Sequence, residues 1–153
     1  MRRLIGWAAL ALARSRPDTI HLMSDHVTSA GVVIVSSDAR IYVRKVAGGY
    51  GGYEWSFAKG QVEPGVSLEH TALNELREEM GLEARLLSVL GDYKGTTGTT
   101  RFYVGEVTGG DPTSHGSETD EVRLVSREEA RKLLNMPRDR RVLNDIYRQR
   151  SAC

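Results

Sequence analysis

The chain has 153 residues, of which 40% are hydrophobic and 27% are charged, and its formal net charge is +1. This length predicts one domain with a buried core, and the near-neutral charge excludes an overall field that would hold nucleic acid or an anionic membrane. The single cysteine, Cys153, excludes an internal disulfide, and the four histidines show no metal-ligand spacing. We therefore expect a cytoplasmic protein with neither a nucleic-acid nor a membrane partner.

The N-terminal segment differs in composition from the rest of the chain. Arg2 and Arg3 precede an apolar run at residues 4–13, which has the outline of an export signal. The run is about half as long as a membrane span requires, and further arginines follow it at once. We expect a partly helical N-terminal extension over residues 1–26 and a single domain over residues 27–150.

Strand patterns open the predicted domain. Residues 27–35 are β-branched and apolar, as in a buried strand, and residues 40–46 alternate like the second arm of a hairpin. The glycine-rich residues 47–53 carry two tyrosines, which form either a rim that stacks on a flat ligand or a mobile connection. A short apolar strand at residues 54–57 then leads to Gly60.

A helix follows, with Ser67 as its predicted N-cap and Gly81 as its C-terminal glycine. Glu75, Glu78 and Glu79 share one face of this helix, where like charges repel. A hard divalent cation would turn that repulsion into ligation, because Mg²⁺ and Mn²⁺ prefer oxygen donors. A solvated acidic face is the alternative. The predicted buried stripe comprises Leu68, Ala72, Leu73 and Leu76.

The second half of the chain contains a hairpin, a strand and two helices. Residues 84–93 and 99–107 predict the hairpin, and residues 108–117 form a loop long enough to be a lid or a disordered tip. Residues 118–125 begin acidic and end as a strand. Strands that do not alternate strictly with helices favour the α/β class in its α+β form over a doubly wound parallel sheet. The helices are predicted at residues 127–134 and 138–150.

Residues 60–82 resemble the Nudix box, G-x5-E-x7-R-E-U-x-E-E-x-G-U, in which U is a bulky aliphatic residue. Val66 stands where the family has Glu, and Asn74 stands where it has Arg. Residues 55–60 resemble the W-x-F-P-K-G entry to the box, with Ala58 replacing proline. The residues that match in register are Gly60, Glu75, Leu76, Glu78, Glu79, Gly81 and Leu82.

The resemblance implies a Nudix αβα sandwich with a mixed β-sheet between helices. It also implies a Mg²⁺-dependent pyrophosphohydrolase, with Mn²⁺ as a second candidate, that cleaves a nucleoside diphosphate linked to another group. The general base would be one of the box glutamates or a carboxylate of residues 118–121, from which we take Glu121. The implied catalytic residues are thus Glu78, Glu79 and Glu121, and the implied metal ligands are Gly60, through its carbonyl, Glu75, Glu78 and Glu79.

Val66 and Asn74 depart from the family pattern as a pair. In the family, the Glu and Arg at these positions are understood to brace the loop against the helix. Losing one partner would strand a charge, whereas losing both can be nearly neutral. We therefore expect a rewired brace in an active enzyme; the alternative is a pseudo-enzyme that binds a nucleotide or a protein without cleaving it.

The expected partner is a small-molecule nucleotide or polyphosphate, and the oligomeric state stays open between monomer and homodimer. The basic last helix is similar to that of Nudix enzymes acting on dinucleoside polyphosphates or diphosphoinositol polyphosphates, which carry many phosphates. A MutT-type nucleoside triphosphate pyrophosphatase is a second alternative. The candidate substrate contacts are Lys59, Arg44, Tyr53, Arg101, Tyr103 and Arg140.

Overall fold

The structure is a computed structural model that describes residues 26–152. The predicted N-terminal extension lies outside the described residues, apart from His26. No helix within residues 26–152 combines the length and the apolarity that crossing a bilayer requires. The division into an extension and a domain over residues 27–150 stays a prediction.

A four-stranded mixed sheet carries the predicted second hairpin. Its strands are β1 (Val27–Ile34), β4 (Ala58–Gln61), β5 (Leu82–Lys94) and β6 (Thr99–Gly110). Their order is β4-β1-β6-β5, with β1 parallel to β6 and the other neighbours antiparallel. β5 and β6 form the hairpin, so that prediction is confirmed.

A second, three-stranded antiparallel sheet consists of β2 (Ile41–Val46), β3 (Trp55–Ser56) and β7 (Thr119–Val125), in the order β3-β2-β7. The predicted hairpin between β1 and β2 is wrong, because the two strands belong to different sheets and share only the bridge between Val35 and Ile41. The physical reason is that β4 and β6 occupy both edges of β1. Both predicted segments do form strands, β1 and β2, but they do not pair with each other as a hairpin.

Among the residues that the structure describes, three α-helices complete the sandwich: α1 (Leu68–Met80), α2 (Arg127–Leu133) and α3 (Pro137–Ser151). Helix α1 covers one face of the four-stranded sheet, and its apolar contacts include Ala30, Ala58 and Tyr103. Helices α2 and α3 pack on a separate core on the other side. This second core includes Val43, Phe57, Phe102, Leu143 and Ile146.

The buried stripe of α1 is narrower than predicted. Ala72 and Leu76 are fully buried, whereas Leu68 and Leu73 keep part of their exposure. Met80 at the end of the helix is buried as well. Burying a large apolar side chain completely contributes roughly 1.5–3 kcal/mol, so this stripe holds α1 on the sheet.

Of the loop predicted at residues 108–117, residues 108–110 continue β6, and the rest is fastened to the end of α1, so that it forms neither a projecting lid nor a disordered tip. The amide of Asp111 donates a hydrogen bond to the Gly81 carbonyl at 2.9 Å. The amide of Gly116 donates to the Glu78 carbonyl at 2.7 Å. These bonds satisfy carbonyls that the helix terminus leaves unpaired, and they bring the start of β7 towards the acidic face.

Candidate active site

Helix α1 brings three acidic side chains to the edge of the four-stranded sheet. It begins at the predicted cap, where Ser67 Oγ accepts a hydrogen bond from the His70 amide at 3.0 Å. It ends at Gly81, whose φ of 70° is left-handed and whose amide donates to the Arg77 carbonyl at 2.9 Å. Both caps confirm the sequence prediction and fix which face is acidic. That face carries Glu75, Glu78 and Glu79.

Gly60 of β4 lies directly against the carboxyl group of Glu75. A Cβ atom at Gly60 would stand 2.2 Å from Glu75 Cδ and 2.6 Å from each carboxylate oxygen. Strand pairing between Gly60 and Ala30 of β1 holds the backbone there. A methyl group at residue 60 would therefore displace the Glu75 carboxyl group from its present position.

Glu79 is the most enclosed of the three glutamates, with 7% of its surface exposed. Its Oε1 accepts a hydrogen bond from the Lys59 amide at 3.0 Å and lies 3.5 Å from Arg44 Nη1. A buried carboxylate without partners would be costly, so these two groups keep it in place.

Glu78 is exposed, and its carboxylate is hydrogen-bonded within its own helix. Its Oε2 accepts a hydrogen bond from Asn74 Nδ2 at 3.1 Å, while the Asn74 side-chain oxygen accepts one from Arg77. Asn74, which replaces the arginine of the Nudix pattern, thus contacts the acidic face directly.

Burial and neighbouring charges affect the protonation of Glu75 and Glu79. Burial raises the pKa of Glu75 to about 7, and the nearby carboxylates of Glu79, Glu78 and then Glu118 act in the same direction. Burial also raises the pKa of Glu79, against the opposing effect of the Arg44 charge. Negative charge is therefore concentrated here beyond what the protein itself neutralises.

The donor set fits a hard divalent cation chemically. Among residues 26–152, no three His, Cys, Asp or Glu side chains are placed together so as to hold a metal ion by themselves. Glu75, Glu78 and Glu79 nevertheless supply the oxygen ligands that Mg²⁺ and Mn²⁺ prefer, and a cation would relieve their mutual repulsion. Metal binding stays a prediction that rests on this chemistry and on the close approach at Gly60.

A cluster of cationic and aromatic side chains, formed by Tyr53, Lys59 and Arg138 and called the cationic cluster below, lies across β4 from the acidic face. Lys59 Nζ stands 5.1 Å from the centre of the Tyr53 ring, and the Arg138 guanidinium stands 5.3 Å from the same ring. Arg138 also lies 5.4 Å from the centre of Phe102. Burial lowers the pKa of Lys59, and the charge of Arg138 acts in the same direction. An anionic ligand would relieve the repulsion between these cations.

Asp139 holds the Arg138 side chain of the cationic cluster in place. Its side chain has no exposed surface, and Oδ1 accepts hydrogen bonds from Arg138 Nε and Nη2 at 3.0 and 2.7 Å. Oδ2 accepts a hydrogen bond from Ser56 Oγ at 2.7 Å. The guanidinium of Arg138 is therefore held in one orientation between the rings.

The protein-family comparison decides the assignment. A family model described as the NUDIX domain matches residues 25–146, which is most of the chain. The chain belongs to the Nudix family. The resemblance stated for residues 60–82 is thereby confirmed, and those residues are called the Nudix box below.

Solved Nudix structures share the fold at low sequence identity. A NUDIX hydrolase from Nitrosomonas europaea superposes with a TM-score of 0.71 at 18% identity, over 81% of this chain and 90% of that one. A C. elegans Ap4A hydrolase superposes with a TM-score of 0.68 at 16% identity, over 82% of this chain and 99% of that one. These likenesses confirm the predicted mixed α+β sandwich.

Curated Nudix relatives match over shorter stretches. A Bacillus subtilis protein that is ascribed the function of an 8-oxo-dGTP diphosphatase is 32% identical over 94 residues, which are 60% of this chain and 62% of that protein. The Escherichia coli ADP compounds hydrolase NudE is 39% identical over 59 residues, which are 39% of this chain and 32% of that enzyme. The chain thus spans less than two thirds of the length of either relative.

The predicted substrate residues separate into two groups. Tyr53 and Lys59 are in contact in the cationic cluster beside the Nudix box. Arg44 is 5% exposed and is bonded to protein groups, including Thr119 Oγ1 at 2.8 Å. The structure thus brings two of the predicted substrate contacts together with Arg138 of the basic last helix.

The other predicted contacts have their polar groups bonded elsewhere. Arg101 forms a two-point ion pair with Asp92, at 2.7 and 3.0 Å. Tyr103 is 4% exposed in the core beneath α1, and Arg140 Nε donates to the Leu134 carbonyl at 2.8 Å. Their role in substrate binding stays a prediction without support from the site geometry.

Glu121 is placed less favourably than a neighbour on the same segment. The Glu121 carboxylate is exposed and forms an ion pair with Arg123 at 2.6 Å. Glu118, immediately before β7, is among the charges that act on both Glu75 and Glu79. The acidic segment therefore approaches the Nudix box through Glu118.

The sequence contained a signal for Asp139 that periodicity alone could have found. Asp139 shares the buried stripe of α3 with Val142, Leu143 and Ile146, at helical spacing. A carboxylate on an otherwise apolar stripe requires a buried partner, which here is Arg138.

Proposed function

We propose that this protein is a Mg²⁺-dependent pyrophosphohydrolase that cleaves a phosphoanhydride bond in a nucleoside diphosphate linked to another group. The observation that carries the proposal is the acidic face of α1, packed on Gly60, with the cationic cluster on the opposite face of β4. A pyrophosphate at the edge of β4 would meet both charge environments at once. Mn²⁺ is a second candidate metal.

Glu75, Glu78 and Glu79, with the Gly60 carbonyl, would hold the metal. When bound, the metal neutralises phosphate charge and lowers the pKa of a coordinated water. The remaining work falls to the chain: the Lys59 amide and Arg44 orient Glu79.

The exposed carboxylates are the better candidates for accepting a proton from water. Glu79 is engaged by two donors, and Glu75 is packed against Gly60. Glu78 is exposed, and Glu118 reaches the same cluster from β7. Glu121 stays in our proposal as a less favoured alternative to Glu118.

The composition of the cationic cluster favours a substrate with several phosphates and a flat group. Lys59 and Arg138 supply positive charge, and Tyr53 supplies a ring surface beside them. We therefore favour a dinucleoside polyphosphate or a related polyphosphorylated molecule, in line with the likeness to the Ap4A hydrolase. The Bacillus subtilis relative supports a nucleoside triphosphate pyrophosphatase as the second candidate.

Turnover of a substrate panel tests the proposal. Dinucleoside polyphosphates, 8-oxo-dGTP and ADP-linked compounds would be incubated with the full chain and Mg²⁺ or Mn²⁺, with products identified by mass spectrometry. Glu78→Gln and Glu79→Gln should each lower the rate more than about tenfold while the protein stays folded. Glu69→Gln on the exposed first turn of α1 is the matched control and should stay near the wild-type rate.

Two outcomes would count against the proposal. Turnover no higher than that of the Glu78→Gln variant for every substrate would favour a nucleotide-binding or protein-binding module on a Nudix scaffold. Near-normal rates in both glutamate variants would refute the assignment of the metal ligands.

A further inference from the structure

Arg44 is a buried cation whose guanidinium has three acceptors on two separate parts of the fold, helix α1 and residues 118–119. Its Nη1 lies 3.5 Å from Glu79 Oε1 on α1, and its Nε donates to Thr119 Oγ1 at 2.8 Å. Its Nη2 donates to the Glu118 carbonyl at 2.9 Å. Since only 5% of Arg44 is exposed, these protein groups are its surroundings.

The Glu118 carbonyl is a junction between elements. Besides Arg44, it accepts a hydrogen bond from the amide of Ala47 at 3.0 Å, just after β2 ends. One carbonyl therefore joins the end of β2, the start of β7 and, through Arg44, the acidic helix. Glu118 cannot shift without disturbing the group that also holds Glu79.

We infer that Arg44 is a positioning residue, which sets the Glu79 carboxylate and the Glu118 segment in place for the metal centre and does not contact substrate. This rests on the proposed function in assuming that Glu79 is a metal ligand. It replaces the sequence-based prediction that Arg44 binds phosphate.

Geometry, and not charge alone, carries the inference. A guanidinium has five donors in a rigid plane and can serve three acceptors in different directions at once. A lysine at the same position keeps the charge beside Glu79 but has a single nitrogen, which cannot reach all three acceptors. Arg44→Lys therefore separates positioning from electrostatics.

The experiment measures Mn²⁺ binding to the substrate-free full chain by titration calorimetry, beside the melting temperature. Arg44→Lys should weaken Mn²⁺ binding about tenfold or more, as loss of a residue that orients a ligand does. Thr119→Val removes only the hydroxyl acceptor and should act in the same direction. The controls are Thr119→Ser, which keeps the hydroxyl, and Arg85→Lys, which makes the same change at the exposed Arg85–Glu106 pair.

Hydrogen exchange gives a readout without metal or turnover. The amides of Lys59 and Ala47 donate to Glu79 and to the Glu118 carbonyl. Both amides should exchange faster in Arg44→Lys and in Thr119→Val than in the two control variants.

Kinetics then distinguish positioning from substrate contact. A positioning role predicts that Arg44→Lys lowers kcat, raises the metal concentration needed for half-maximal rate, and leaves KM for the substrate near its wild-type value. A raised KM with unchanged kcat would overturn the inference, because it indicates a substrate contact.

Unchanged Mn²⁺ affinity in a folded Arg44→Lys variant would also overturn it, as would a wild-type protein that binds no Mn²⁺. If the wild type binds Mn²⁺ but turns over no substrate, the proposed function fails while the binding and exchange measurements still decide the inference.

Discussion

At the scale of single residues, the site is governed by how closely charged groups approach the backbone. Glu75 lies against Gly60 with no room for a methyl group between them. Burial and the neighbouring carboxylates raise its pKa to about 7. The protein therefore holds an acid in a position where its charged form is unfavourable.

Glu75 provides a stability prediction with a definite sign. Because its folded pKa of about 7 lies above the ordinary 4.5, folding favours the protonated form. This contribution is complete below the unfolded pKa and is lost as pH rises through about 7. In metal-free protein, Glu75→Gln should therefore raise the melting temperature at about pH 8 by more than it does at about pH 5. Differential scanning fluorimetry measures both.

The same protein supplies the control for that prediction. Saturating Mg²⁺ at the higher pH should raise the melting temperature of the wild type and abolish the advantage of Glu75→Gln. An equal shift at both pH values would show that the variant acts through packing and not through titration.

At the scale of elements, α1 and its flanking loops form one unit. Its caps at Ser67 and Gly81 are local features, and both are present as predicted. The loop that returns from β6 is fastened to the same helix end through Asp111 and Gly116. The unit therefore positions the Nudix-box glutamates and the start of β7 together.

The exchanged brace residues give a prediction at this scale. Val66 is 36% exposed, and Asn74 links Arg77 to Glu78 on the helix surface. Making Val66→Glu and Asn74→Arg together should rebuild the family's loop-to-helix pair and raise the free energy of unfolding by about 0.2–1 kcal/mol. Urea denaturation of the double variant and of both single variants measures the gain.

Each single variant should gain less than the double one, because each leaves its new charge without the intended partner. A double variant less stable than the wild type would mean that Val66 and Asn74 are packed for a different role.

At the scale of the whole molecule, two apolar cores enclose the strands that carry the site. Phe102 of β6 has no exposed surface, and its ring lies 6.1 Å from Phe57 and 6.0 Å from Tyr93 in edge-to-face contacts. The Phe102 ring also contacts the Arg138 guanidinium. The core thus supports the Arg138 side chain of the cationic cluster.

Phe102→Ala should lower the free energy of unfolding by about 3–5 kcal/mol, through lost burial and the cavity that remains. Val89→Ala on the edge strand β5, where Val89 is 47% exposed, is the control and should cost less than about 1 kcal/mol. Guanidinium denaturation measures both. A cost for Phe102→Ala no greater than the control would contradict the packing described for this core.

By itself the sequence determined the elements whose signals are local. The caps of α1, the common face of Glu75, Glu78 and Glu79, and the hairpin of β5 and β6 follow from periodicity and turn chemistry. The family resemblance determined the fold class and pointed to Gly60, and the comparisons bear out both the family and the fold.

Only the tertiary structure decided which distant residues meet. It separated β1 from β2, buried Arg44 between α1 and β7, paired Glu121 with Arg123, and set Arg138 beside Tyr53. The physical reason is that strand pairing and buried ion pairs depend on contacts between segments far apart in the chain. Such contacts leave no periodic trace in either segment alone.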